Sequence, residues 1–172
     1  MASKYQTQPY TVVRKMSNVE LRFYPAALKI QSAEGFGSLF RFISGENSDN
    51  RQIEMTTPVY LGDQQGNNVM EFVLPSDLNK DNVPSPRDER LRVMESKPGY
   101  FLAKQFGGYA SESKRTHHAR SLEEVMAEQG FKAIGEPVSL VYDSPYRLLN
   151  RRNEVLWEIE PPAGFQEQLD GE

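Results

Sequence analysis

Residues 10–14 and 19–24 alternate apolar with polar positions and are rich in β-branched and aromatic side chains. The polar step Met16-Ser17-Asn18 lies between them, so the pair predicts a hairpin. Residues 27–32 set Leu28 and Ile30 against Lys29 and Gln31, the two-residue period of a half-buried strand. The period then changes. Phe36, Leu39, Phe40 and Ile43 fall at i, i+3, i+4 and i+7, one face of a short helix that Gly45 is placed to end. Beyond a polar stretch, residues 55–61 and 70–74 read as strands around a turn-forming 62–68 segment. Pro75, Pro84 and Pro86 keep the next segment irregular. Residues 91–95 and 100–106 follow as two strands joined by Lys97-Pro98-Gly99, a predicted hairpin turn. A second helix over 111–129 ends at Gly130 and carries Ala119, Leu122, Val125 and Met126 on one side. Residues 138–142 and 154–160 supply the last strands, and 161–172 reads as a tail.

Strands, helix and strands thus occur twice. Met70 follows Gly45 by 25 positions and Glu154 follows Gly130 by 24, an echo that fits two duplicated β-α-β-β halves. Both halves would contribute to one twisted antiparallel sheet carrying both helices, an α+β fold. At 172 residues the whole chain, with a core over about 9–160, is expected to form a single domain.

Composition removes most chemistries. The chain has no cysteine and two histidines, which leaves no disulfide, no thiol nucleophile, no Cys-ligated zinc and no thiolate-ligated haem. Lys+Arg 20 against Asp+Glu 24 gives a net charge of −4, the wrong sign for a broad nucleic-acid surface. The mean hydropathy is −0.64, and no apolar run approaches a membrane span or a secretory leader. The expected location is the cytoplasm. Phosphate-loop, dinucleotide-binding and nucleophile-elbow motifs are all missing, so the sequence signals no catalysis.

Four features remain as candidates. His117 and His118 are about 100° apart on a helix and do not face one ligand together. His118 falls about 40° from Leu122, at the core edge, and His117 about 140° away, towards solvent. Glu154 opens an apolar strand, which fits either a structural ion pair with Arg151 or Arg152 or a carboxylate in a pocket. The face of the first helix away from its expected stripe carries Gly37, Ser38 and Arg41, with Phe42 at the border. That is either an ordinary solvent face or a low surface where a flat apolar ligand meets a cation. The loop before the last strand sets Tyr146, Leu148 and Leu149 beside Arg147, Arg151 and Arg152, which suits a planar carboxylate-bearing aromatic, a protein partner or a structural network.

Several segments together resemble the SOUL haem-binding protein family, from about Tyr10 to Glu160. They are Phe42-Ile43-Ser44-Gly45-Glu46-Asn47, Ile53-Glu54-Met55-Thr56-Thr57-Pro58-Val59, Phe72-Val73-Leu74-Pro75-Ser76, Gln105-Phe106-Gly107-Gly108-Tyr109-Ala110, Tyr142-Asp143-Ser144-Pro145 and Arg151-Arg152-Asn153-Glu154-Val155. The resemblance implies a twisted sheet or distorted β-barrel with two helices and a pseudo-two-fold axis. It also implies non-covalent binding of haem or another tetrapyrrole between the first helix and the last inter-strand loop. Arg41 and Arg147 match basic positions that would pair with propionates, and Phe36, Leu39, Tyr146 and Leu148 would line the cleft. The chain departs from the family in two ways: the segment between Ile30 and Phe36 is shorter than usual, and no histidine lies near the first helix. Weak or absent axial ligation is therefore expected, with no separate metal site. The expected role is carrier, buffer or sensor rather than enzyme. The alternatives are a hydrolase-like small-molecule domain using a cleft carboxylate, or a protein-interaction module.

Overall fold

The computed structural model describes residues 5–64, 66–143 and 149–165. The elements run β1 (Gln6–Thr7), β2 (Thr11–Met16), β3 (Val19–Tyr24), β4 (Leu28–Ser32), α1 (Phe36–Ile43), β5 (Thr56–Thr57), β6 (Val59–Gln64), β7 (Asn67–Val73), β8 (Arg92–Glu95), β9 (Gly99–Phe106), α2 (Glu112–Gln129), β10 (Val138–Val141) and β11 (Asn153–Ile159). The fold is α+β, with two helices and antiparallel main strands, as the hydrophobic periods predict. Among the described residues β2 pairs only with β3 and β8 only with β4, so each lies at an open sheet edge. The expected 55–61 strand divides at Pro58, which donates no amide to a ladder. Its first part, β5, pairs in parallel with β1 instead.

The chain forms two compact units. The first comprises residues 1–8 and 26–96, the second 9–25 and 97–172. In the first, the order is β6-β7-β4-β8, with α1 packed on β4 and β7. Its core joins Ile30, Leu39, Phe42, Ile43, Phe72 and Leu91. In the second, β2, β3, β9, β11 and β10 follow in that order, with α2 across β9 and β11. Its core joins Leu21, Tyr100, Leu102, Phe106, Leu122 and Val155.

One expectation is corrected here. Residues 91–95 and 100–106 are strands, yet they form no hairpin: β8 pairs with β4, and β9 lies between β3 and β11. The two compact units are therefore not continuous stretches of chain, although each repeat is. Each repeat reads β-β-α-β-β, and its first strand joins the unit built around the other repeat's helix. The orders β6-β7-β4-β8 and β10-β11-β9-β3 then correspond strand by strand.

Helix caps follow local chemistry. Ser111 Oγ accepts from the Lys114 amide at 3.3 Å to start α2, and Gly130 ends it at φ +74°, the left-handed C-cap position. The α2 stripe is as predicted, with Leu122 and Met126 buried and Ala119 and Val125 packed beside them.

Candidate functional site

α1 is buried through a face one step away from the expected stripe. Ser38, Leu39, Phe42 and Ile43 are inside, whereas Phe36 and Phe40 are 47% and 51% exposed. Ser38 explains the rotation. Its hydroxyl donates to the Gly35 carbonyl at 3.2 Å and lies 2.8 Å from that of Ser32, so a small, satisfied polar group fits where α1 meets β4. Phe42, placed at the border by the sequence pattern, takes the core position and is fully buried.

The exposed face of α1 is thus apolar where a solvent helix is ordinarily polar. Phe36 and Phe40 stack on one another with centroids 5.7 Å apart, and Phe36 also sets its edge on Phe72 at 5.5 Å. Arg41 adjoins them. Its guanidinium lies over Gly37, with Nη1 3.6 Å from where a β-carbon would stand, and its Nε is 3.6 Å from the Glu46 carboxylate. Both partners of that pair are more than half exposed, so the contact holds Arg41 weakly.

Phe40 also borders a groove of about 540 Å³, shared with Ile43, Ser44, Tyr5 and residues 52–55. That volume lies within the range of small-molecule sites, roughly 300–1,000 Å³. Asn47 fixes the groove wall. It is fully buried, its Nδ2 donates to the carbonyls of Phe42 and Arg51, and its Oδ1 accepts from the amides of Asp49 and Arg51. The Ile53 amide then donates to the Ile43 carbonyl at 2.7 Å, tying the following segment to the end of α1. Of the residues expected to bind a ligand, the structure exposes Phe36 and Arg41 together on one helix face. Leu39 has 0% exposure and packs in the core, so it supports that face from beneath. Tyr146, Arg147 and Leu148 lie outside the described residues.

Glu154 sits in the second unit with no exposed surface. Arg22 donates to both its oxygens, at 2.8 and 2.5 Å, Tyr142 donates to Oε1 at 2.9 Å, and Arg152 to Oε2 at 3.2 Å. Burial alone would push this carboxyl up, but Arg22, Arg152 and the Tyr142 hydroxyl outweigh it and hold it below the ordinary value. Burial first, and the Glu154 charge second, push the Tyr142 phenol far up, so it stays protonated and donates. The ion pair expected with Arg152 is present. Arg22, 132 positions away, is the partner that sequence reasoning missed. An arginine in a short strand otherwise built for burial was the available signal, since such a cation needs a counter-charge.

Arg151 is used differently: its Nε donates to the Gly108 carbonyl at 3.1 Å, and Asn153 Nδ2 donates to the same oxygen at 2.5 Å. Two of the motifs quoted above therefore clasp one another. On α2, His118 stacks on Phe106 with centroids 4.5 Å apart, while His117 is exposed, matching the helical-wheel expectation. Among the described residues no three His, Cys, Asp or Glu side chains gather to hold a metal ion, and no helix is long and apolar enough to cross a membrane.

Comparison with known proteins adds ancestry to this geometry. The family model described as "SOUL heme-binding protein" matches residues 5–158. Heme-binding protein 1 of Xenopus laevis is 28% identical over 136 residues, 75% of this chain and 70% of that protein. Heme-binding protein 2 of Homo sapiens is 29% identical over 135 residues, 73% of this chain and 64% of that protein. Among solved structures, the crystal structure of the EcmrR C-terminal domain superposes with a TM-score of 0.60 at 10% identity, covering 88% of this chain and 98% of that one. At that identity the likeness is one of fold.

Proposed function

The chain belongs to the SOUL haem-binding protein family, and from that premise we propose that it binds haem or a related tetrapyrrole non-covalently on the exposed face of α1. The observation that carries this reading is the stacked Phe36–Phe40 pair, two half-exposed rings beside Arg41 and a groove of about 540 Å³. A flat macrocycle laid on this face would remove apolar surface from water, worth about 25 cal/mol per Å². A micromolar affinity corresponds to about −8 kcal/mol, so a few hundred Å² with one carboxylate–arginine pair is the right scale before ordering costs. Arg41 is suited to a propionate because its present partner is exposed and loosely held.

Neither histidine belongs to α1 or the groove, so face stacking and charge pairing, rather than histidine ligation, would hold the ligand. Carrier, buffer or sensor are the roles this binding supports, in the cytoplasm. A catalytic role through Glu154 has little support, because Arg22, Arg152 and Tyr142 occupy both of its oxygens.

Titration with hemin tests the reading. The expected result is a saturable Soret shift, with affinity lowered about tenfold or more in Phe40→Ser and about fivefold in Arg41→Ala. An unchanged spectrum up to high micromolar hemin would overturn it.

A further inference from the structure

Among the described residues, three cationic side chains on strands are buried: Arg22, Lys29 and Lys104. Two carry their counter-charge with them. Arg22 is paired with Glu154, and Lys29 lies 3.5 Å from Glu71 and over the Tyr60 ring. Lys104 has no such partner. On β9 its stem is buried on the side that faces α2, with 9% exposure, and its Nζ donates to Ser121 Oγ at 3.0 Å. No ion pair among the described residues includes it.

Lys104 and Lys114 both act electrostatically on His118. Lys114 and His118 lie one turn apart on α2, and Ser121 follows in the next turn on the same side. The Lys114 ammonium rests against Gly108, 2.8 Å from where a β-carbon would stand, and among the described residues has no acidic partner within ion-pair distance. His118 is fixed by its stack on Phe106, and its Nδ1 is buried without a hydrogen-bond partner. Asn153, opposite Phe106 in the ladder and fully buried, bonds Gly108 through Nδ2 and leaves Oδ1 unpartnered. Buried polar atoms are rarely left unpaired, so each of these two calls for a partner.

We propose that Lys104, Lys114 and His118 form a binding site for inorganic phosphate, as the hydrogenphosphate dianion, on the second unit. Two ammonium groups answer its charge, and His118 supplies a ring N–H. The hydrogenphosphate O–H is a donor of the kind that Asn153 Oδ1 lacks, which sulfate does not carry at neutral pH. The charged groups facing His118 are Lys104 of β9 and Lys114 and His117 of α2, all positive or neutral, so an arriving anion stabilises the imidazolium.

The test follows the His118 ring protons by NMR through a pH titration. Inorganic phosphate, glycerol phosphate, sulfate and chloride are compared at matched ionic strength. The expected result is a saturable rise of about one unit in the His118 pKa with inorganic phosphate. Glycerol phosphate, whose dianion carries no P–O–H, should raise it less, and an equal or larger rise overturns the proposal. The affinity should fall about fivefold in Lys114→Gln, an exposed change that leaves folding intact, and at least as far in Lys104→Met. An equal response to chloride or sulfate, or a phosphate response unchanged in Lys114→Gln, overturns the proposal.

Discussion

Glu154 shows how one buried charge is tolerated. A carboxylate with no exposure is stable only when its lone pairs are filled, and here two arginines and a tyrosine fill them. Glu154→Gln leaves the buried Arg22 guanidinium with only the part-exposed Glu20 as counter-charge and removes the partner of Arg152, so urea unfolding at pH 7 should show a loss of about 3 kcal/mol. The pH dependence has a definite sign. The folded carboxyl lies below its ordinary value of 4.5, so the protein binds this proton less readily than the unfolded chain does. The stabilisation is complete above the unfolded value and is lost as pH falls through the folded one. Wild type should therefore weaken below about pH 4.5, and Glu154→Gln should flatten that limb of the stability curve. His118 has the opposite charge and the opposite consequence. Burial first, then Lys104, His117 and Lys114, hold its pKa below 6.5, so its ionisation opposes folding. Stability should rise with pH through the window between its folded value and 6.5, and His118→Gln should remove that rise in chemical-denaturation curves.

At the scale of elements, α1 separates packing from binding. Leu39 and Phe40 are adjacent in sequence, yet one is wholly buried and the other half exposed. Leu39→Ala should cost about 2–5 kcal/mol of stability by opening a cavity under the helix. Phe40→Ser should change stability far less while weakening hemin binding, and thermal melts beside Soret titrations would separate the two effects. If Phe40→Ser destabilised the protein as much as Leu39→Ala, the exposed aromatic face would be a packing feature. The sequence pattern placed a short helix across Phe36–Ile43 but set its inner face one step away from the observed one. An i, i+3, i+4, i+7 series of large apolar groups looks like a buried stripe, and nothing local reveals that Ser38 will bond Ser32 and take the inner position. α2 was legible in both extent and facing because its stripe of Leu122 and Met126 meets a broad core without a competing apolar face. Its C-cap is equally local: Gly130→Ala places a β-carbon at φ +74° and should lower stability by about 1 kcal/mol in denaturant titrations.

The whole molecule is built from two units of matching strand order, neither of which is a continuous stretch of chain. The second unit takes β2 and β3 from the N-terminal region, and β3 covers one edge of β9 along Val19–Tyr24. A fragment of residues 97–172 should therefore remain largely unfolded by circular dichroism and recover sheet signal when a peptide of residues 9–25 is added. Cooperative unfolding of that fragment on its own would contradict the partition. Element type, order and family membership came from the sequence, because hydrophobic period, cap residues and short motifs are local and survive without neighbours. Strand partners, the inner face of α1, the counter-charge of Glu154 and the uncompensated charge of Lys104 were decided only in three dimensions. Each of these depends on which side chains meet across the fold, as Arg22 and Glu154 do across 132 positions, and a linear pattern does not encode that choice.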